Sequence, residues 1–200
     1  MKRTLHTLPR CDWAGDDPLY CAYHDHEWGV PVHDDTKIFE MLILEGFQAG
    51  LSWITILRKR ESFREAFSNW DYTAVARYTS RDIRRLMNNK EIVRNRRKIE
   101  AAVKNARAFL RVRREFGTFD KYIWQFTGNR TLRAARRAGT FADLPAYSAE
   151  SKAMSRDLKK RGFSFVGPTI CYAHMQATGM VDDHLSGCFC AKQNDRRRKK

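Results

Sequence analysis

Apolar residues fill most of positions 38–57, and Glu45 stands among them, close to Phe39, Met41, Leu42, Ile43, Leu44 and Phe47. Gly46 and Gly50 break the helical pattern on either side of Gln48. This predicts a helix capped by Asp35 or Thr36 that ends near Glu45, then a tight exposed turn, then a second helix that Ser52 caps and that continues to residue 67. The longest regular period spans residues 95–116, where Ile99, Ala102, Val103, Ala106, Phe109, Leu110 and Val112 recur at helical spacing until Gly117 ends the pattern. Shorter helices are predicted over residues 18–24, 72–77, 80–88 and 119–126, with Pro18 in a first turn and Ser80 and Asp82 as start signals. Ser148 caps one more helix, stopped by Gly162, and Pro168 opens another, stopped by Gly179. Residues 128–147 are Arg-rich, contain Gly139 and Pro145 and keep no period, so they are expected to form a connecting loop. No stretch alternates with period two between hairpin turns, and no internal repeat is visible, so the expected fold class is all-α.

Charge changes the picture next. Lys and Arg number 38 against 23 Asp and Glu, a formal net charge of +15 that points to a polyanionic partner, most simply nucleic acid. Basic surfaces also occur on membrane-binding and ribosomal proteins, and the closing Arg196, Arg197, Arg198, Lys199 and Lys200 read as a solvated tail. On the helix over residues 95–116, Lys98, Lys104, Arg107, Arg111, Arg113 and Arg114 read as a solvated face, with phosphate contact as the alternative. The 200 residues suit one domain, expected over residues 11–190, with a disordered leader over 1–10 and a basic tail over 191–200. No apolar segment follows the start as in a signal peptide, and none reaches membrane-spanning length, so a soluble cytoplasmic protein with no membrane partner is expected. Five cysteines, an odd number, argue against a disulfide framework there and leave metal binding or burial.

Three patterns carry candidate chemistry. A carboxylate withdrawn from water costs several kcal/mol unless something pairs with it, so Glu45, with the flat face of Trp53 nearby and a glycine-bearing turn between, suits a planar, hydrogen-bonding or cationic ligand. The plainer reading is a core helix whose Glu45 is bridged to an Arg. Next, glycines bracket residues 162–167, so two helices can meet in a tight hairpin whose second member presents free amides to an anion, such as one DNA phosphate. Finally, His184 and Cys188 stand at one end of the chain and Cys11 and His24 at the other, a donor set that zinc takes tetrahedrally and that would staple the two ends together. Cys21, His26, His174 and Cys190 compete as ligands, with Cys190 the nearest rival of Cys188. No nucleophile elbow, P-loop or dinucleotide fingerprint is present.

Several stretches resemble one family closely: Arg10-Cys11-Asp12-Trp13, Asp17-Pro18-Leu19-Tyr20, Tyr23-His24-Asp25, Glu27-Trp28-Gly29-Val30-Pro31, residues 44–53, residues 159–171, and Asp183-His184 with Gly187-Cys188. The chain resembles the DNA-3-methyladenine glycosylase I family over residues 11–190. That resemblance implies an all-α, bilobed helix-hairpin-helix fold and a monofunctional enzyme that excises 3-methyladenine from alkylated double-stranded DNA as a monomer. It also implies one structural zinc held by Cys11, His24, His184 and Cys188. It makes Glu45 the polar reader of a flipped base, Trp53 its stacking partner, and Tyr20, Tyr23 and Trp13 the lining of the pocket. Gly50 and Leu51 become a wedge that enters the duplex, and Gly162, Ser164, Val166 and Gly167 the phosphate-holding hairpin. The chain departs from the family at Asp182, where the family commonly has Asn and most of the superfamily a catalytic Asp, so Asp182 joins Glu45 as a catalytic candidate. The rivals are a non-catalytic zinc-stapled DNA-binding protein and a basic RNA-binding structural protein, neither of which has a use for Glu45 beside Trp53.

Overall fold

Most helices in this chain begin at a side chain that takes up amides left free by the first turn, a contribution of about 1 kcal/mol each. Asp17 accepts from the amides of Leu19 and Tyr20 at the start of α1 (Pro18–His26), and Asp34 accepts from that of Lys37 at the start of α2 (Asp35–Gln48). After α3 (Trp53–Arg58) and α4 (Arg60–Ala66), Asp71 caps α5 (Tyr72–Ala76), and Thr79 with Asp82 closes a capping box on α6 (Ser80–Asn88). Asn95, Thr118 and Ser148 cap α7 (Arg96–Phe116), α8 (Phe119–Trp124) and α9 (Ala149–Lys160), and Pro168 opens α10 (Pro168–Ala177). The computed structural model describes residues 8–191, and among these the only β pairing is an isolated parallel bridge between Leu132 and Val181, so the all-α expectation holds. None of the described helices is long and apolar enough to cross a membrane.

α2 is the element around which the rest is packed. Every residue from Ile38 to Phe47 is buried, with α3, α7, α8 and α10 against it. Phe47 meets Phe63 on one side, and Phe109 stacks on Phe119 with ring centroids 3.9 Å apart on the other. Each such side chain contributes about 1.5–3 kcal/mol on burial, so a stripe of this length fixes the course of α2.

Local differences from the expectation have physical causes. α2 does not end near Glu45 but continues through Gly46 to Gln48, because the unbroken run of buried residues from Ile38 to Phe47 holds it in the core. Tertiary packing outweighs a propensity cost of about 1 kcal/mol. The single helix expected from Ser52 to residue 67 is two, parted at Lys59, and the Ser52 hydroxyl bonds to Oγ1 of Thr55 rather than to an amide. α1 runs on to His26, α8 stops at Trp124 before a 3-10 turn over Gln125–Thr127, and the Arg-rich loop carries another over Phe141–Asp143. Most of the expected basic face of α7 is tied to the fold. Lys98 is buried, Arg107 donates to the carbonyls of Ala76 and Tyr78, Arg111 donates to that of Arg161, and Arg113 pairs with Asp35.

Residues 1–7 and 192–200, which hold most of the expected leader and tail, lie outside the described residues. The adjoining residues belong to the fold: the Pro9 carbonyl accepts from the Phe189 amide, Arg10 pairs with Asp25, and Ala191 is buried. The N- and C-terminal segments therefore meet.

Candidate active site

One helical turn separates Tyr20 from Tyr23, so α1 presents both rings on one face, and the 3-10 turn before it brings Trp13 within 5.0 Å of Tyr20. Trp53, at the start of α3, packs on Tyr23 with centroids 5.3 Å apart, and Trp28 meets Trp13 edge-on. These rings and Glu45 enclose a cavity of about 250 Å³, completed by Gln48, Phe141, Ala173 and Gln176. All five residues expected at the pocket, Glu45, Trp53, Tyr20, Tyr23 and Trp13, line it together.

Glu45 is 3% exposed, and its Oε2 has no hydrogen-bond partner among the described residues. No Arg bridges Glu45 among the described residues, and Arg60 pairs with Glu27 and Glu40 instead. Burial pushes the Glu45 carboxyl up to about 8, so it is protonated at neutral pH. The indole N–H groups of Trp13 and Trp53 are likewise buried without partners among the described residues. Two donors, one carboxyl group and aromatic walls suit a flat ligand with a polar edge, and a cation above all, because desolvated rings and a carboxylate both attract positive charge.

Between Glu45 and Trp53 the chain makes the expected turn. Gly50 has φ +79°, the left-handed region that a side chain disfavours, and the Leu51 amide donates back to the Gln48 carbonyl at 2.6 Å. Leu51 is left 42% exposed at the tip, beside the pocket. Phe141 stands at the rim too, 52% exposed. Sequence reasoning missed Trp28, Gln48, Phe141, Ala173 and Gln176. Trp28 lies within a stretch already singled out, whereas Phe141 sits in a loop without period and gave no signal.

The hairpin between α9 and α10 is present. Gly162 has φ +91°, Gly167 caps α10 without a side-chain bond, and no heavy atom lies within 4 Å of where its Cβ would sit. Ser164 is at the turn, with both backbone polar atoms bonded to Asn105, whereas Val166 turns inward and its carbonyl accepts from the Ser155 hydroxyl at 2.6 Å.

Asp182 is not in the aromatic pocket. It lines a separate hollow of about 440 Å³ with Arg133 and Arg137, fully buried, ion-paired to Arg133 at 2.8 Å and to Arg137 at 3.1 Å. Burial works against its charge, but hydrogen bonds from His184 and Arg137 prevail and hold the carboxyl well below its ordinary range. Its Oδ1 lies 2.8 Å from Nδ1 of His184. Neighbouring Asp183 lines the same hollow, accepting from the Tyr172 hydroxyl and from Nε2 of Gln176, a residue of the aromatic pocket.

His24, His184, Cys188 and Cys190 each offer a donor atom within 4.8 Å of all the others, a set able to hold a metal ion. Each imidazole has a carboxylate on Nδ1, Asp25 for His24 and Asp182 for His184, both at 2.8 Å, which leaves Nε2 for a metal. Nε2 of His184 is buried with no partner among the described residues. Gly29 is obligatory here, since a Cβ would fall 2.7 Å from Cε1 of His184. Hydrogen bonds from Cys11 and Cys190 hold the Cys188 thiol well below its ordinary value, so one thiolate is already favoured. The donors fit a thiolate-binding metal. The mutual set takes Cys190 where the resemblance implies Cys11, and Cys11 adjoins it, its sulfur accepting from the Leu185 amide at 3.3 Å. Two rivals are elsewhere: Cys21 donates to the Gly15 carbonyl, and His174 is buried in α10.

The sequence model of the family described as Methyladenine glycosylase matches residues 13–191. The chain is 47% identical over 187 residues to DNA-3-methyladenine glycosylase 1 of Escherichia coli (strain K12), covering 94% of this chain and 99% of that protein. It superimposes on a crystal structure of 3-methyladenine DNA glycosylase I with TM-score 0.88 at 48% identity, covering 91% of this chain and 99% of that one. A variant of 3-methyladenine DNA glycosylase I solved in complex with 3-methyladenine is similar with TM-score 0.86 at 36% identity, over 90% and 96% of the two chains.

Proposed function

The chain belongs to the methyladenine glycosylase family, and from that premise we propose that it is a monofunctional DNA glycosylase that excises 3-methyladenine from alkylated double-stranded DNA, opening base excision repair. The observation that carries this reading is the buried Glu45, its Oε2 unpartnered, in a cage of aromatic rings. A protein that only bound DNA would gain nothing from that arrangement.

Extruding a nucleotide costs a few kcal/mol, recovered by stacking and hydrogen bonding in the pocket. Trp53 and Tyr23 supply the stacking faces, and Tyr20 and Trp13 close the cage. Methylation at N3 makes the base a cation, and its arrival draws Glu45 into the carboxylate form, which a neutral purine does not do. The bond between N9 and C1′ then breaks with its electrons passing to the departing base, which leaves as neutral 3-methyladenine. Water adds to the oxocarbenium-like sugar and loses a proton, giving an abasic site. Little acid catalysis is needed, since the leaving group is already charged, so the enzyme gains most by binding the flipped base in a geometry that favours cleavage.

Leu51 at the tip of the Gly50 turn serves as the wedge that fills the vacated stack, and the Gly162–Gly167 hairpin offers backbone amides to one phosphate. The monomer suffices for both. Zinc is the metal assigned to the cluster, held by His24, His184 and Cys188, with Cys11 and Cys190 competing for the fourth position. When bound it supplies a closed structural staple between the N- and C-terminal segments. Asp182 is read as the residue that fixes the His184 ring rather than as a group on the sugar, a reading supported by its commitment to His184, Arg133 and Arg137.

Incubating the metal-loaded protein with duplex DNA treated with a methylating agent, and separating the released bases by chromatography, tests the function. Release of 3-methyladenine is expected. Intact DNA after prolonged incubation would overturn the proposal.

A further inference from the structure

Lys98 and Asn105 are seven residues apart on α7, two helical turns, so their side chains leave the same face about 10 Å apart along the axis. Both are buried, at 7% and 4% exposure, on a helix otherwise rich in exposed charge. Nζ of Lys98 donates to the carbonyls of Phe47 at 2.8 Å and Ala49 at 2.6 Å. These carbonyls lie at the end of α2, where a helix leaves acceptors unsatisfied and partly negative, so the ammonium caps the helix and secures the base of the turn that carries Gly50 and Leu51. Asn105 grips the other unit. Its Oδ1 accepts from the Ser164 amide at 2.8 Å and its Nδ2 donates to the Ser164 carbonyl at 2.9 Å, a two-point clamp on the hairpin. Between the two clamps the units touch, Gly46 of α2 facing Phe165, a non-glycine residue held at φ +55°.

Burying an ammonium and an amide costs desolvation that apolar residues of similar size would avoid. Shape alone therefore does not call for Lys98 or Asn105, whereas fixing two turns to one rigid helix does. We propose that Lys98 and Asn105 are positioning residues that make α7 a gauge between the Leu51 turn and the Ser164 hairpin, so that the phosphate held by the hairpin sets which base step Leu51 enters. The inference rests on the function proposed above. A wedge arriving one step away from the held nucleotide would extrude the wrong base, and misplacement by 1 Å at a distance from the chemistry can cost about 100-fold in rate.

The test compares wild type with Lys98→Met, Lys98→Arg, Asn105→Leu, Asn105→Asp and the Lys98→Met/Asn105→Leu pair. Three readouts are needed: single-turnover release of 3-methyladenine from methylated duplex, affinity for free 3-methyladenine, and preference for a duplex with one abasic site over an intact duplex. Lys98→Met and Asn105→Leu should each slow release by about tenfold or more while free-base affinity stays within about twofold, because the pocket is intact and only registration is lost. The pair should be little worse than the poorer single variant, since both act on one step. Lys98→Arg, which keeps the charge and donors, should recover most of the rate, and Asn105→Asp, which keeps only the bond from the Ser164 amide, should fall between Leu and Asn. A general structural defect would instead lower free-base affinity and release together, and that result, or unchanged release, overturns the gauge. If wild type releases no 3-methyladenine, the proposed function fails, and abasic-site preference then decides the gauge separately: loss of preference in the variants sustains it, and retention overturns it.

Discussion

A carboxyl group buried as Glu45 is, with its pKa pushed up to about 8, keeps a proton that an unfolded chain releases near 4.5. Because the folded value is the higher one, the stability associated with this group is full below 4.5 and is lost as pH rises through 8. At 1.36 kcal/mol per unit the loss is up to about 5 kcal/mol. Glu45→Gln should therefore melt higher than wild type at pH 8.5 and nearly level with it at pH 4.5, a pair of thermal scans that would contradict the account if the two differences were equal. The same ionisation shapes catalysis: because the arriving cation itself deprotonates Glu45, the free-enzyme value governs release at sub-saturating enzyme, whose apparent second-order rate constant should rise with pH toward about 8 and flatten above, while Glu45→Gln should show a low, flat profile. His174 works at the acid end. Burial lowers its pKa to about 4, and neither ring nitrogen has a partner among the described residues, so stability should fall by about 3 kcal/mol as pH drops from 6.5 to 4. His174→Phe should remove that slope from denaturation curves taken across the window. For Asp182→Asn the expectation is structural: two arginines lose their shared counter-charge and His184 its orienting oxygen, at a cost of about 1–3 kcal/mol after allowing for the partial exposure of the arginines. Metal content and melting temperature should drop together while release by the metal-loaded fraction changes modestly.

Helices were legible in the sequence wherever their signals are local. Asn95 and Ser148 cap as their types predict, Gly117 and Gly162 stop the helices they follow, and the period over residues 95–116 is α7. Features decided by distant parts of the chain were not legible. Gly46 reads as a breaker until the core around Ile38 to Phe47 is seen to enclose it, and Lys98 reads as a surface charge until the end of α2 supplies its acceptors. The candidate site divides in the same way. Glu45 was found because a carboxylate in an apolar run is locally anomalous, whereas the pairing of Asp182 gave no signal because Arg133 and Arg137 come from a loop without a pattern. Gly179 shows how tightly the elements join. Its φ is +68°, and a Cβ there would lie 2.3 Å from the Val30 carbonyl carbon. Gly179→Ala should cost more than about 3 kcal/mol, since backbone and not a flexible side chain stands in the way. Chemical denaturation measures this directly, and a loss below about 1 kcal/mol would mean that the end of α10 and the Val30 segment separate easily.

At the scale of the molecule, the cluster of His24, His184, Cys188 and Cys190 joins segments from opposite ends of the chain, and the net charge of +15 gives the whole a field that attracts polyanions. Removing metal with a chelator should lower the melting temperature by about 10 °C or more, because a closed site contributes its binding energy to folding. Duplex affinity should fall steeply between low and physiological salt and vary little with sequence, as counterion release requires. On the function proposed above, base recognition by Glu45, and not a carboxylate on the sugar, drives excision. The most direct test is single-turnover release of 3-methyladenine from methylated duplex by metal-loaded wild type, Glu45→Gln and Asp182→Asn. Wild type should release the base, Glu45→Gln should do so about 100-fold more slowly with duplex affinity kept, and Asp182→Asn should stay within about tenfold of wild type. An inactive Asp182→Asn that still holds its metal, beside a near-normal Glu45→Gln, would contradict that role of Glu45.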